Sequence, residues 1–347
     1  MLGAYLGDFT ILGKYPWRFC LGSILLMIVI SSAFGLNIFN LPGDTLVGVQ
    51  VLSSATFSRH HVQSLALLLP VVFVPIIYVA KNKGYQGIIL CQWIYALLCF
   101  ATLTTPEFSG FVHFATIGMG LLLIAVLRNW FGTNRVIGTL LATVPCIIIF
   151  ALLLLVSYAQ GSWISMRLIA LLNPQADPLG FGFVAIEIRQ LLSEAALLGE
   201  GTMPEFFTQR MIMMHSDFLL SIVIFRFGWL PFAVIMGALL LFIVNIIARC
   251  LKQRSDLGFF VSLAVALTFS VQILMYVIFN LGFIFTYISL PLISPGNLTM
   301  VINMGLVGLM LSVFRTGDAV IDKNVVSAIK NNRFVTWNDG KLTINFK

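Results

Sequence analysis

The sequence predicts an all-α fold: a polytopic transmembrane helix bundle of about eight spans, with a long extracytoplasmic loop that carries an amphipathic helix. Three observations predict it. Hydrophobic residues make up 59% of the chain and charged residues 10%, against roughly 45–50% and about 25% in soluble domains. A chain this apolar has too little polar surface to cover itself in water, whereas lipid solvates an apolar outer face. Apolar runs of about 20 residues recur, the length that crosses roughly 30 Å of hydrocarbon as helix, and a helix satisfies its own backbone hydrogen bonds where lipid cannot. Finally, the basic residues fall in alternate connections.

The runs place spans at 17–39, 62–80, 85–104, 108–127, 136–157, 228–251, 257–282 and 297–315, with 217–227 extending the sixth span upward. Lys14 and Arg18 precede the first span, and Lys81 and Lys83 follow the second. Arg128 and Arg135 separate the fourth from the fifth, Arg249, Lys252 and Arg254 the sixth from the seventh, and Arg315 closes the eighth. Alternating spans put all of these on one side, while the opposite short connections hold only Arg59. The positive-inside rule makes the basic side cytoplasmic and leaves both termini inside. The net charge of +7 is accounted for in this way and does not call for nucleic acid. The first run is too long for a signal-peptide h-region and lacks a clear small-residue cleavage site, so no cleavable signal is expected. Cys20, Cys91, Cys99, Cys146 and Cys250 lie in or at the ends of apolar runs without metal-ligand spacing, and read as small buried hydrophobes.

Residues 1–315 therefore form a membrane domain, with an extracytoplasmic loop at about 158–216, and 316–347 form a polar, basic cytoplasmic tail. In the tail, Asp339-Gly340 is a hairpin turn signal. A loop this long is functional or disordered, and this one is too apolar for disorder. Within it, Val184, Ile188, Leu191, Leu192, Ala195 and Leu198 share one helical face, with Glu187, Gln190 and Glu194 on the other. That pattern fits a helix lying on the membrane or capping the bundle. The turn-forming stretches NPQADPLGFG and LLGEGTMPEF flank it.

Ionisable groups near the bilayer are expensive and therefore informative. Asp217, in MMHSDFLLSIVIF, stands at the start of a span on the outer side. Two readings are open for it: a general base at the mouth of the bundle, or a helix N-cap. His215, two residues earlier, reads as interfacial. Arg226, between Phe225 and Phe227, pairs with a carboxylate or a substrate phosphate, or snorkels to the outer headgroups. Arg167 and Arg189 are basic groups on the outer side; together they suit an anionic lipid headgroup, and ion pairs with Glu187 or Glu194 explain them equally. Pro291, Pro295 and Gly296 precede the last span and suggest a re-entrant turn lining a cavity, with an ordinary short loop as the alternative. His60, His61 and His113 have no evident partner.

Three stretches in order resemble the SEDS family (shape, elongation, division and sporulation), the family of RodA, FtsW and SpoVE. RLIALLNPQADPLGFG is similar to that family's R-x-x-x-F-x-N-P-x-x-D-P-x-G-x-G, matching at Arg167, Asn173, Pro174, Asp177, Pro178, Gly180 and Gly182, with Leu171 at the Phe position. HSDFLLSIVIFRFG resembles H-T-D-F-I-F-A-V-x-x-E-E-x-G at His215, Asp217, Phe218 and Gly228. TYISLPLISPGNLTMVINMGLVGLMLSVFR resembles T-G-I-P-L-P-F-x-S-Y-G-G-S-S and the closing helix at Thr286, Leu290, Pro291, Ser294 and Gly296. Pro106 and Glu107 fit a Q-P-D-x-G motif more weakly. Phe225 and Arg226 stand where the family has two acidic residues, Pro295 to Thr299 replace its Tyr-Gly-Gly-Ser-Ser, and its P-S-E-L-A-K motif is not recognisable around 59–68. Eight spans against the family's ten predict a diverged chain without the first two.

The resemblance implies a peptidoglycan glycosyltransferase of the bacterial cytoplasmic membrane. It would polymerise lipid II, an undecaprenyl diphosphate-linked disaccharide peptide, with a class B penicillin-binding protein as partner, membrane lipids around it and no nucleic acid. The family's catalytic Asp falls on Asp217. Substrate-binding roles fall to Arg167, Arg189, Arg226, His215 and Ser294, because a polyprenyl diphosphate leaving group needs cationic stabilisation. No cofactor is certain, and a divalent cation is the one candidate. The alternatives are a non-catalytic scaffold for a class B penicillin-binding protein and a lipid-linked precursor transporter.

Overall fold

Each predicted apolar run forms a helix, and the runs stack into one bundle. The computed structural model describes residues 9–33, 64–103, 108–159, 163–180, 182–202, 218–283, 290–291, 297–316, 335–338 and 341–344. In order, α1 is Thr10–Lys14, α2 Pro16–Ala33, α3 Leu69–Val79, α4 Gly84–Leu103, α5 Phe108–Leu127 and α6 Arg135–Ala159. Then follow α7 Trp163–Leu172, α8 Phe183–Ser193, α9 Leu219–Phe227, α10 Trp229–Leu251, α11 Asp256–Asn280 and α12 Asn297–Thr316. Among the described residues five helices are long and apolar enough to cross a membrane, those in α4, α5, α10, α11 and α12. Helices α2, α3 and α6 occupy the other three expected spans.

Helix α11 is the axis. Of its most apolar window 67% is buried, against 6% for α10. It packs against α3, α5, α10 and α12. Small residues make this possible, because lipid supplies no hydrophobic drive between helices and close backbone approach must supply packing instead. Gly258, Ser262, Ala264 and Ala266 are such residues, and Val313 of α12 lies 3.2 Å from where a Cβ on Gly258 would sit. Helix α10 turns Leu230, Val234, Leu240, Leu241 and Val244 outward, as a helix on the lipid-facing perimeter does.

The basic connections converge on one end of the bundle. The turn after α3 and the turn after α5 exchange backbone bonds, Asn82 N to Trp130 O at 3.1 Å and Gly84 N to Phe131 O at 3.0 Å. Lys81 pairs with Asp256 at the start of α11 and lies 4.3 Å from the Trp130 ring centroid. Phe9, just before α1, packs near Gly258. This is the basic end; the opposite end carries α7, α8 and α9 and is the loop end. The five cysteines are buried and unpaired. In the tail, Val335–Asn338 (β1) pairs antiparallel with Lys341–Ile344 (β2), in register Asn338 to Lys341, as the Asp339-Gly340 signal predicts.

Two expectations need correction. The stretch 217–227 does not extend the sixth span: α9 and α10 are separate helices, broken at Gly228 with φ +96°. The missing intrahelical bonds are supplied from outside. Trp229 N and Leu230 N, at the head of α10, donate to Ala196 O and Leu197 O at 3.2 and 3.1 Å. Gly199 N and Gly201 N donate to Phe227 O and Phe225 O, at the foot of α9, at 3.0 and 2.9 Å. The loop helix also ends early, at Ser193, so Leu198 is exposed. The reason is the same: residues 194–201 must leave helical geometry to thread the break, where exposed helix ends otherwise lack partners.

Candidate active site

At the loop end, α8 caps the bundle. Ile188 and Leu191 pack on Phe218, Phe225 and Phe279, with Val184 and Leu192 at the margin. This is the apolar face read from the sequence, and it covers the ends of α9 and α11. The turn that delivers α8 is tight. After α7 comes a 3₁₀ turn, Pro174–Ala176. Gly180 N and Gly182 N both donate to Asp177 O, at 3.3 and 3.0 Å. A Cβ on Gly182 would lie 2.0 Å from Pro174 O. The N-P-x-x-D-P-x-G-x-G spacing is therefore that of a turn with no room for side chains at its glycines.

The first turn of α9 is fastened to the last turn of α11. Phe218 stacks on Phe279 with ring centroids 5.2 Å apart and planes 15° apart. Ser221 N donates to Asn280 Oδ1 at 3.1 Å, and Ser221 Oγ donates to Asn280 O at 2.6 Å. Asn280 Nδ2 donates in turn to Tyr276 O at 3.0 Å. Ser221 and Asn280 are 0% and 1% exposed. Sequence reasoning missed both, since the bond joins residues 59 apart; a polar residue at each end of an apolar run was the available signal.

This geometry bears on Asp217. The residue itself lies outside the described residues, as do His215 and Ser294. Helix α9 begins at Leu219 with Phe218 at its N-cap. An N-cap side chain ordinarily takes the amide of the second or third helical residue. The third is Ser221, and Asn280 already takes its amide.

Of the basic candidates, Arg189 reaches the end of α11. Its Nε donates to Gly282 O, just past the end of α11, at 3.1 Å, and its guanidinium lies 5.0 Å from the Phe283 ring centroid. A cation at a helix C-terminus meets the partial negative charge of the unpaired carbonyls. For Arg189, the ion pair with Glu187 or Glu194 read from the sequence gives way to this carbonyl. Arg226 is elsewhere: it is exposed in the last turn of α9, about 10 Å along the axis from the first at 1.5 Å per residue. Arg167 lies on α7. Phe225, at the family's first acidic position, is 2% exposed and belongs to the apolar cluster.

Leu290 and Pro291 are buried, and Leu290 packs on Leu220, Ile273 and Tyr276. Pro295 and Gly296, on which the expected re-entrant turn rests, lie outside the described residues. Among the described residues no three His, Cys, Asp or Glu side chains gather to hold a metal ion. His113 is buried on α5 with no hydrogen-bond partner for either ring nitrogen among the described residues.

A family model described as "Cell cycle protein", named for FtsW, RodA and SpoVE, matches residues 63–318. A probable peptidoglycan glycosyltransferase FtsW of Trichlorobacter lovleyi is 26% identical over 152 residues, covering 42% of this chain and 39% of that protein. The protein of the same description from Borreliella burgdorferi is 26% identical over 235 residues, covering 67% and 62%. The chain thus spans 39–62% of the length of these curated relatives. A solved structure, described for the structural coordination of polymerization and crosslinking by a peptidoglycan synthase complex, superposes with a TM-score of 0.60. It covers 90% of this chain and 84% of that chain at 18% identity, and so speaks to the fold.

Proposed function

Because this chain belongs to the FtsW/RodA/SpoVE family of cell cycle proteins, we propose that it is a peptidoglycan glycosyltransferase that polymerises lipid II at the outer face of a bacterial cytoplasmic membrane. The observation that carries the reading is the match of residues 63–318 to that family's model, within which HSDFLLSIVIFRFG aligns Asp217 with the family's Asp. In this reading Asp217 takes the proton from the acceptor sugar hydroxyl as that oxygen attacks the donor sugar, and the donor's bond to its polyprenyl diphosphate breaks. The leaving diphosphate needs cations. Arg189 suits it: Nε is held by Gly282 O, which aims the two Nη groups for bidentate contact with phosphate. Arg167 is the second cation, and His215 and Ser294 contact the substrate. Arg226, exposed beside Phe227, contacts outer headgroups. Both termini and the tail 316–347 are cytoplasmic, because the basic end lies inside. The loop at about 158–216 is then outside, a class B penicillin-binding protein is the partner, and a divalent cation has no assigned step.

One observation favours a second reading, a non-catalytic scaffold for such a partner. Where the family has an acidic residue, Phe225 is packed in the apolar cluster, so that position has passed from chemistry to packing. The deciding experiment is polymerisation of purified lipid II in detergent by the full chain, with and without a class B penicillin-binding protein, beside Asp217→Asn. Glycan chains from the parent and none from the variant support the enzyme. Equal product from both removes Asp217 from the mechanism, and no product from well-folded parent under either condition favours the scaffold.

A further inference from the structure

We propose that Lys14 and Arg18, with the open face of α2 below them, form a binding site for one acidic phospholipid, a role independent of the glycosyltransferase reading above. The junction of α1 with α2 brings the two cations together. Helix α1 ends at Lys14 and Pro16 opens α2, where its fixed φ and missing N–H suit a first helical position. Tyr15 lies between the helices: its amide donates to Ile11 O at 3.2 Å, and its carbonyl accepts from Phe19 N at 3.3 Å. Lys14 Nζ is 5.4 Å and the Arg18 guanidinium 4.8 Å from the centroid of the Tyr15 ring. Neither cation has a carboxylate partner among the described residues. Two like charges that share one exposed ring repel, and a phosphate beside both relieves that repulsion.

Below the cations, α2 is apolar and open. Arg18, Gly22 and Leu25 follow one helical face. A Cβ on Gly22 would meet nothing within 4 Å, and Leu21, Leu25 and Leu26 around it are exposed. Leu25 is about 10 Å along the axis from Arg18 at 1.5 Å per residue, so an acyl chain laid over Gly22 leaves its phosphate beside the two cations. Trp17 and Phe19 flank Arg18 and are exposed, as aromatic residues at the headgroup boundary are. A free phosphate would use the cations and leave the apolar face bare, whereas a lipid uses both. The headgroup is acidic because offsetting two cations takes a net anion, and a zwitterionic headgroup brings a cation of its own. The site stands on anchored elements: a Cβ on Gly13 would lie 2.8 Å from Leu257 of α11, and α2 packs against α3 and α4.

The test adds dioleoylphosphatidylglycerol to the full chain in detergent and measures the bound lipid by native mass spectrometry. All substituted positions are exposed, so each variant is compared at a melting midpoint in lipid-free detergent equal to the parent's. The double variant Lys14→Gln with Arg18→Gln is expected to bind this lipid roughly 10- to 100-fold more weakly, the scale of two lost charge-assisted contacts. The control, Lys252→Gln with Arg254→Gln, removes two exposed bases of the same end and stays within about twofold of the parent, since charges away from the ligand are screened. Gly22→Leu keeps both cations, fills the open face and lowers the affinity severalfold. Dioleoylphosphatidylcholine binds every variant as it binds the parent, and inorganic phosphate at the same concentration does not displace the phosphatidylglycerol. An equal loss in the control overturns the proposal, because diffuse charge then suffices. Unchanged binding in the Lys14 and Arg18 variant or in Gly22→Leu overturns it too, as does displacement by inorganic phosphate, which would make the site one for a free anion.

Discussion

The two ends of the bundle are joined in different ways. At the basic end the ties are several and overlapping. The turns after α3 and α5 exchange two backbone bonds, and Trp130 Nε1 donates to Ile77 O at 2.9 Å. Lys81 reaches both Asp256 and Trp130, Arg128 lies 3.6 Å from the Phe259 ring centroid, and Ser255 caps α11 by accepting from Gly258 N at 3.3 Å. At the loop end the ties that hold the break between α9 and α10 are backbone bonds, and they pass through glycines that leave no room for a side chain. Gly228 has φ +96°, and a Cβ there would lie 2.6 Å from Leu197 O and 2.7 Å from Leu198 Cα. A Cβ on Gly201 would meet Glu194 O at 2.5 Å. Redundant contacts tolerate substitution, while interlocked backbone holds a broken helix in one geometry. The interlocked end is the one to which the proposed function assigns the chemistry.

Substitutions sharpen this contrast. The largest effect is expected from Gly228→Ala, which adds both a left-handed backbone penalty and a clash with main-chain atoms, together about 2–4 kcal/mol. Thermal unfolding in detergent should show a marked fall in the melting midpoint and lost polymerisation; a midpoint within a degree or two of the parent would mean that the break is not locked. Next is Arg189→Ala, which removes a charged hydrogen bond to the α11 terminus at a cost of about 1–2 kcal/mol. Because the same guanidinium is assigned to the leaving diphosphate, KM for lipid II should rise too, and Arg189→Lys should not restore it, since an ammonium lacks the planar fork. Arg226→Ala, at the far end of α9, should leave KM nearly unchanged. The smallest effect is expected from Lys81→Ala. A half-exposed pair contributes less than about 1 kcal/mol, and the neighbouring backbone bonds remain. A large loss there would refute the redundancy assigned to the basic end.

The spans were legible because their length and apolarity are dictated by the bilayer, and the shared side of Lys81, Arg128 and Arg254 was legible from the alternation of basic loops. The apolar face of α8 was legible from the 3.6-residue spacing of Val184, Ile188 and Leu191, while the choice between lying on the membrane and capping the bundle came from its packing on Phe218, Phe225 and Phe279. The break at Gly228 was not read, although Gly228 followed by Pro231 in a first helical turn is a helix-start signal; in an unbroken apolar run it reads as one long span. The end of α8 at Ser193 was hidden for a related reason, since Ala195 and Leu198 continue the apolar spacing while their backbone serves another helix. The Ser221–Asn280 bond and the Arg189–Gly282 bond join segments distant in sequence; local pattern marks Ser221 and Asn280 as polar residues in apolar runs but does not say that they meet.

The most direct test of the account is where the substrate is felt. Amide exchange of the full chain carrying Asp217→Asn, which blocks turnover, should be followed with and without lipid II. The account predicts slowed exchange over 182–202 and 218–228 and no change over 80–84 and 128–135. Protection at the basic end, with the loop end unaffected, would contradict it.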